Sequence, residues 1–332
     1  REIDNPKNYE PHRLGRLAFT IGKKMDRRFP VQEFQPSRFR PFFGTETDRL
    51  SATFLTGGAC NSNYLVETSK GQKFVCRIHK RGNPHTEKRI TQNLKDVVPV
   101  PSYLWEAEDL SVMEFIEGEH FTPSKQLVRE AGRIIGRLKK KSFERSGEIK
   151  PSGDVVGFEG WESYQKGLLS LLHSELVVKH LSEETIAKLK EILDQHCSML
   201  ESFDLCRNLV HGDFRPDNIL VKGDRIVGVI DWEFSHSGCS YMDIGNLLRH
   251  IPEKWDEHLA VGLTEEEFDL PEDWRFRASF IDLTSHLEFL TSKRDKVFKL
   301  TCVSRIHKLI KLNTDQGSGG QLRSLRSLRA TL

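Results

Sequence analysis

The sequence predicts an α+β chain in which a small antiparallel sheet lobe precedes a larger helical lobe. Three observations carry this: strand-like alternation of apolar residues between positions 51 and 116, helical spacing from position 125 onward, and a strand-rich island at 209–232 within the helical part. At 332 residues the chain is long enough to bury a sizeable core in each lobe.

Ahead of the sheet, Leu14, Leu17, Ala18, Ile21 and Met25 fall at helical spacing across 12–29, and Pro30 ends that run. Prolines and arginines crowd 36–41, which reads as an extended connection. Strands are predicted at 51–56, 63–68 and 73–79, the last two joined by the turn Ser69-Lys70-Gly71. Ile90 and Leu94 place a helix over 87–94, after which strands resume at 103–105 and 110–116. Beyond Gly118 the pattern is helical at 125–141, 161–179 and 183–203, and again from Met242 through 276–290 and 297–312. The organisation predicted is a helix and sheet lobe at 1–112, a hinge at 113–118, a helical lobe at 119–316, and a low-complexity tail at 317–332.

A formal net charge of +2 makes no global demand for nucleic acid or an anionic membrane, and no basic face with interleaved aromatics is present. No apolar run approaches the roughly 20 residues that cross a bilayer, and residues 1–10 are too polar for a secretory signal. The six cysteines follow neither metal-ligand spacing nor the density of a disulfide scaffold. The expectation is a cytoplasmic protein whose partner is a small molecule, with no nucleic acid and no membrane; oligomeric state has no signature in the sequence.

The chemistry concentrates in Leu209-Val210-His211-Gly212-Asp213-Phe214-Arg215-Pro216-Asp217-Asn218-Ile219-Leu220-Val221 and the following Ile230-Asp231-Trp232-Glu233. Two apolar runs around a hairpin let Asp213, Asn218 and Asp231 converge from a loop and a strand end. Asp-x-x-x-x-Asn, with a further Asp after a second strand, is the catalytic-loop and metal-aspartate order of kinases. Phosphoryl transfer needs these types because catalysis is mostly positioning and charge stabilisation around Mg²⁺. Asp213 would orient an acceptor hydroxyl and take its proton. Asn218 and Asp231 supply hard oxygen ligands for Mg²⁺, and His211 braces the loop. Taken singly, Asp213, Asp217 and Asn218 also suit an ordinary turn; their ordered combination with Asp231 favours catalysis.

These residues resemble the signature of the aminoglycoside phosphotransferase and choline kinase superfamily, the small-molecule branch of the bilobal protein-kinase-like fold, over roughly positions 55–249. Gly212, and Asp231-Trp232-Glu233 in place of Asp-Phe-Gly, separate the chain from serine, threonine and tyrosine kinases. The resemblance implies ATP and Mg²⁺ as cofactors. It also implies nucleotide contacts from a flap carrying Gly57, Gly58 and Asn61, from Arg77 paired with Glu87, and from hinge backbone around Glu114 and Ile116. Lys73 and Lys80 compete with Arg77 for the phosphate-facing role. Asp243 is implied as a brace of the catalytic loop, with a helix N-cap as the alternative. Lys139 stands where the family helix usually ends in His, so no role transfers to it.

The acceptor is less legible. Asp256, Glu257, Glu265, Glu266 and Glu267 lie in an acidic stretch with little compensating charge nearby in the sequence, which suggests a rim for a cationic acceptor such as an aminoglycoside; a solvated surface explains them equally. A neutral sugar or amino alcohol, or a catalytically silent nucleotide-binding protein of the same fold, are the alternatives.

Overall fold

The computed structural model describes residues 29–56 and 60–317. The helix predicted at 12–29 lies outside them except for its last residue, as do Gly57, Gly58 and nearly all of the tail.

The first lobe opens with a short 3-10 turn at Pro36–Phe39 that runs into helix α1 (Arg40–Phe43), where an extended connection was predicted. Pro36 and Pro41 occupy first-turn positions, where proline's fixed φ suits a helix start and its missing N–H costs nothing. The turn exists to bury Phe39 and Phe43 against Tyr64, Val66, Ile78 and Val112. Phe34 stacks on Phe39 with centroids 5.1 Å apart.

Strands β1 (Ser51–Leu55), β2 (Ser62–Glu67), β3 (Lys73–Ile78), β4 (Tyr103–Glu106) and β5 (Leu110–Glu114) form one antiparallel sheet in the order β1-β2-β3-β5-β4. Helix α2 (Pro84–Leu94) interrupts it between β3 and β4. Asn83 caps α2 by accepting the His85 and Thr86 N–H groups, and this start places Glu87 in the first turn, facing β3.

The second lobe contains β6 (Glu119–His120), α3 (Lys125–Lys139), β7 (Gly147–Ile149), β8 (Val155–Val156), α4 (Tyr164–His173), α5 (Glu175–Val178), α6 (Glu183–Gln195), α7 (Cys197–Asp204) and β9 (Asn208–Val210). It continues through β10 (Ile219–Lys222), β11 (Arg225–Val229), β12 (His236–Gly238), α8 (Tyr241–Leu248), α9 (Asp256–Glu265), α10 (Trp274–Thr291) and α11 (Lys296–Gly317). The single helices predicted over 161–179 and 183–203 are each broken, at Ser174 and at His196. The hairpin β10–β11 pairs with β6, and β12 lies between β7 and β9, so the catalytic stretch is framed by two small sheets. Two buried apolar clusters support them, one centred on α3, α8 and α9 and the other on α4, α6, α10 and α11. Gly132 and Gly262 let α3 and α9 touch backbone to backbone, since a Cβ on either would collide with the other helix. No helix among the described residues is long and apolar enough to cross a membrane.

Candidate active site

β9 delivers the chain into the loop His211-Gly212-Asp213, and α8 holds it there. The Asp243 carboxylate accepts the His211 N–H at 2.8 Å and the Gly212 N–H at 2.9 Å. Burial pushes Asp243 up to about 7, against these two N–H groups, which favour its charged form. Gly212 has φ +81, and a side chain there would run into the Phe234 carbonyl oxygen, so the loop requires glycine.

His211 is fully buried. Its Nε2 donates to the Ile230 carbonyl at 3.0 Å and its Nδ1 accepts the Asp213 N–H at 3.2 Å, a pattern only the neutral ring makes. Burial lowers its pKa to about 4. The ring ties the loop to the strand preceding Asp231 and stays uncharged at neutral pH, its one proton on Nε2.

Asp213 Oδ2 accepts from Asn218 Nδ2 at 2.8 Å, and the same nitrogen donates to the Asp213 carbonyl at 2.9 Å. Arg215 Nε lies 3.2 Å from Asp213 Oδ2. Burial raises the Asp213 pKa; Arg215 opposes this and Asp231 reinforces it. With its nitrogen committed to Asp213, Asn218 turns its carbonyl oxygen the other way, where no described residue donates to it.

Asp231 ends the strand side of the cleft in the left-handed region, φ +69, a conformation an L-residue holds only when its surroundings enforce it. The enforcement comes from Trp232, which is buried, donates Nε1–H to the Val229 carbonyl at 2.9 Å, and packs its ring 4.5 Å from that of His211.

From the sheet lobe, Arg77 reaches the same place. Nε donates to Asn63 Oδ1 at 2.8 Å, Nη1 to Glu87 Oε2 at 2.9 Å, and Nη2 lies 3.1 Å from Asp231 Oδ1. Burial opposes the Arg77 charge, but Asp231 and Glu87 outweigh it and hold the guanidinium protonated. Glu87 also accepts from the Tyr103 hydroxyl at 2.7 Å. His79 lies behind, with Nε2 2.9 Å from Ser111 Oγ and its pKa driven down to about 3 by burial and by Arg77. Lys73 and Lys80 are exposed and take no part in this cluster.

Asn61 has a bracing set of contacts. Its Oδ1 accepts the Lys80 and Arg81 N–H groups at 2.8 and 3.0 Å, while Nδ2 donates to Glu233 Oε2 at 2.8 Å. It therefore joins the sheet lobe to the Asp231 segment. Burial, then Asp231, pushes Glu233 up to about 8. At the hinge, the Glu114 N–H is engaged with the Ser102 carbonyl at 2.9 Å, and the Ile116 side chain lies against Gly228 of β11.

The acidic rim does not survive in space as an uncompensated patch. Glu265 is ion-paired to Arg129 and Arg133, Glu266 to Arg137 and Lys140, and Asp256 to Arg275 at 2.6 Å. Glu267 lies 3.6 Å from Lys140 and Glu257 is exposed. The counterions of Glu265, Glu266 and Glu267 come from α3 and its C-cap Lys140, well over a hundred positions earlier in the chain, and that of Asp256 comes from α10, which is why the local sequence hid them.

The donor set suits Mg²⁺. The described residues contain no group of three or more His, Cys, Asp or Glu placed to hold a metal ion by themselves, but one carboxylate and one amide oxygen match an ion that keeps several waters and completes its shell with substrate phosphates.

A family model described as "Phosphotransferase enzyme family" (APH) matches residues 51–280. The chain belongs to this phosphotransferase family. Homoserine kinase of Zymomonas mobilis is 28% identical over 227 residues, covering 62% of this chain and 66% of that enzyme. Homoserine kinase of Rhizobium meliloti is 27% identical over 201 residues, covering 54% of this chain and 57% of its own length. This chain thus spans less than two thirds of the length of either relative. The structure of aminoglycoside phosphotransferase APH(4)-Ia with AMP-PNP and hygromycin B superposes with a TM-score of 0.60 at 16% identity, covering 86% of this chain and 99% of the other. The family's bilobal kinase-like fold is the architecture found here.

The cluster contains partners that sequence reasoning missed. Asn63, His79 and Tyr103 surround the Arg77–Glu87 pair, Glu233 meets Asn61, and Arg215 flanks Asp213. Only Asn63, directly opposite Arg77 in the β2–β3 register, and Arg215, two residues from Asp213, had a local signal.

Proposed function

We propose that this chain transfers the γ-phosphoryl group of ATP to a hydroxyl of a small molecule, with Asp213 as catalytic base and Asn218 and Asp231 as ligands of Mg²⁺. The observation that carries this reading is that the Asp213–Asn218 pair lies beside Asp231, the Asn218 backbone carbonyl accepting the Ile230 N–H at 2.9 Å, while Asp231 is bridged through Arg77 to Glu87 of the other lobe. A hairpin with mere turn caps has no use for a buried interlobe ion network, whose desolvation is costly.

Asn218 and Arg215 both engage Oδ2 of Asp213, which leaves Oδ1 to meet an acceptor hydroxyl. Burial raises its pKa above that of a free carboxylate, which makes it a better acceptor for the hydroxyl proton. Asp243 and neutral His211 hold the loop backbone so that this geometry is present before substrate arrives. When bound, Mg²⁺ would neutralise charge on the transferring phosphate. Arg77, already oriented by Glu87 and Asn63, offers a cation to the phosphates alongside it. The paired state of Glu265, Glu266 and Asp256 weighs against a cationic acceptor.

The test is incubation with ATP, Mg²⁺ and a panel of hydroxylated acids, amines and sugars, with product mass recorded. A gain of one phosphoryl group on any acceptor supports the proposal. Nucleotide binding with no transfer across the panel would favour a catalytically silent protein.

A further inference from the structure

Beside the catalytic loop, the end of α8 with α10 and α11 encloses a cavity of about 260 Å³. Arg249, Arg275, Arg305 and Lys308 line it, together with Glu253 and Asp282. Arg249 lies close enough to Asp213 to favour its ionised form. The neighbouring His250 is acted on by Arg249, Arg215, Arg305 and Asp217. Arg249 thus lines the cavity and lies within electrostatic reach of Asp213.

The charges in this cavity do not cancel. Arg249 Nε lies 3.1 Å from Asp282 Oδ2, Arg275 Nη1 2.6 Å from Asp256 Oδ2, and Lys308 is paired with Glu253. Every carboxylate thus has its cation, and Arg305 is left over. Arg305 is half-buried, donates Nη2–H to the Arg249 carbonyl at 2.7 Å, and has no carboxylate within ion-pair distance among the described residues. Burial and the adjacent Arg249 disfavour its charge, and Asp282, which is paired with Arg249, offsets them only in part. An unpaired guanidinium beside a second cation at the edge of a cavity is relieved by an anion, and guanidinium geometry matches carboxylate.

We propose that this cavity receives the acceptor and that the acceptor is a small hydroxy acid, its carboxylate bound by Arg305 with Arg249 and its hydroxyl directed to Asp213. The inference rests on the phosphotransferase reading given above. The volume agrees: it lies below the roughly 300–1,000 Å³ of drug-sized ligand pockets, so it holds a few-carbon acid and excludes a trisaccharide. A cationic acceptor would find each carboxylate already occupied and one cation opposing it.

The test is calorimetric titration of the full chain, saturated with Mg·AMP-PNP, using matched probes. L-homoserine and 3-hydroxypropionate represent carboxylates, glycerol 3-phosphate a phosphate, L-homoserine amide and 1,3-propanediol the uncharged-acid counterparts, and choline and kanamycin the cations. The proposal expects the carboxylates to bind at least about tenfold more tightly than their counterparts, the loss of a charge-assisted bond being worth that much. Arg305→Gln removes this preference and Arg305→Lys keeps most of it, with the effect appearing in acceptor KM more than in kcat. Preference for choline or kanamycin, binding of none of the carboxylates, or unchanged carboxylate affinity in Arg305→Gln each overturns it. Binding of glycerol 3-phosphate alone overturns the carboxylate and assigns a phosphate. Carboxylate binding through Arg305 without transfer to any of them overturns the role as acceptor. Failure of the phosphotransferase reading is seen separately, as absence of Mg·AMP-PNP binding before any probe is added.

Discussion

Arg77 Nη2 lies 3.1 Å from Asp231 Oδ1, so a cation of the sheet lobe and an anion of the helical lobe meet directly across the cleft. The same guanidinium holds Asn63 and Glu87 through its other nitrogens. One planar fork thereby sets the distance between the lobes and the orientation of Asp231, a task that a single ammonium does not perform.

Removing Arg77 therefore costs stability as well as activity. Arg77→Met leaves Glu87 buried without its cation and is expected to destabilise the chain by about 3–5 kcal/mol. Arg77→Lys keeps the charge, loses part of the contact set and falls between the two proteins. Urea denaturation read by fluorescence checks the order; a Met variant as stable as the parent would show that the pair is dispensable.

Asp231→Asn and Asn218→Ala are expected to raise the Mg²⁺ concentration needed for half-maximal turnover, the former more because it deletes a negative charge that would touch the ion. The shift should be at least the roughly 10–100-fold seen when only an outer-shell partner is lost. Titrating turnover against Mg²⁺ measures it, and parental metal dependence in both variants would remove them from the metal site.

The buried acids give stability a pH dependence with a definite sign. Glu233 and Asp243 have folded-state pKa values of about 8 and about 7, above the ordinary 4.5 and 3.8. Between these limits the folded chain holds more protons than the unfolded one, so both groups make stability fall as pH rises. His79 and His211, lowered to about 3 and about 4 from 6.5, act oppositely, but only below 6.5. From pH 6.5 to 8 the carboxylates act without that opposition. Unfolding free energy should fall in this window, with Glu233 contributing on the order of 1–2 kcal/mol. Denaturation at the two pH values in parent and Glu233→Gln decides it, since the variant should show the shallower slope.

Neutralising Glu265 and Glu266 together should leave acceptor KM unchanged and lower stability only slightly, by about 0–1 kcal/mol per ion pair. Their partners are the α3 arginines, not a ligand. A raised acceptor KM in the double glutamine variant would return these acids to the acceptor site.

What was legible in the sequence follows the range of the interactions involved. Asp213 and Asn218 sit five residues apart in one loop, and Asp231 follows one hairpin later, so the chemistry confines them to a short readable stretch. Among the strands, β2 buries alternate residues, whereas β1, β3, β4 and β5 bury one end or a consecutive run and were legible as short apolar stretches between turn residues. Pro36 and Pro41 were misread because proline serves an extended segment and a first helical turn equally well, and only the burial of Phe39 and Phe43 decides between them. Tyr103 on Glu87, Asn61 on Glu233 and the α3 arginines on Glu265 and Glu266 join residues 16, 172 and about 130 positions apart. Nothing local marks them. Arg305 was hidden for the same reason, since its significance is the absence of a partner that only the folded chain reveals.

Asp213 is proposed to accept the proton of an acceptor hydroxyl during phosphoryl transfer. This role is tested most directly by comparing turnover and Mg·AMP-PNP affinity in the parent and in Asp213→Asn with one phosphorylated acceptor. The account predicts a kcat lower by about 10²–10⁴-fold with nucleotide affinity essentially retained. Parental kcat in Asp213→Asn would contradict it.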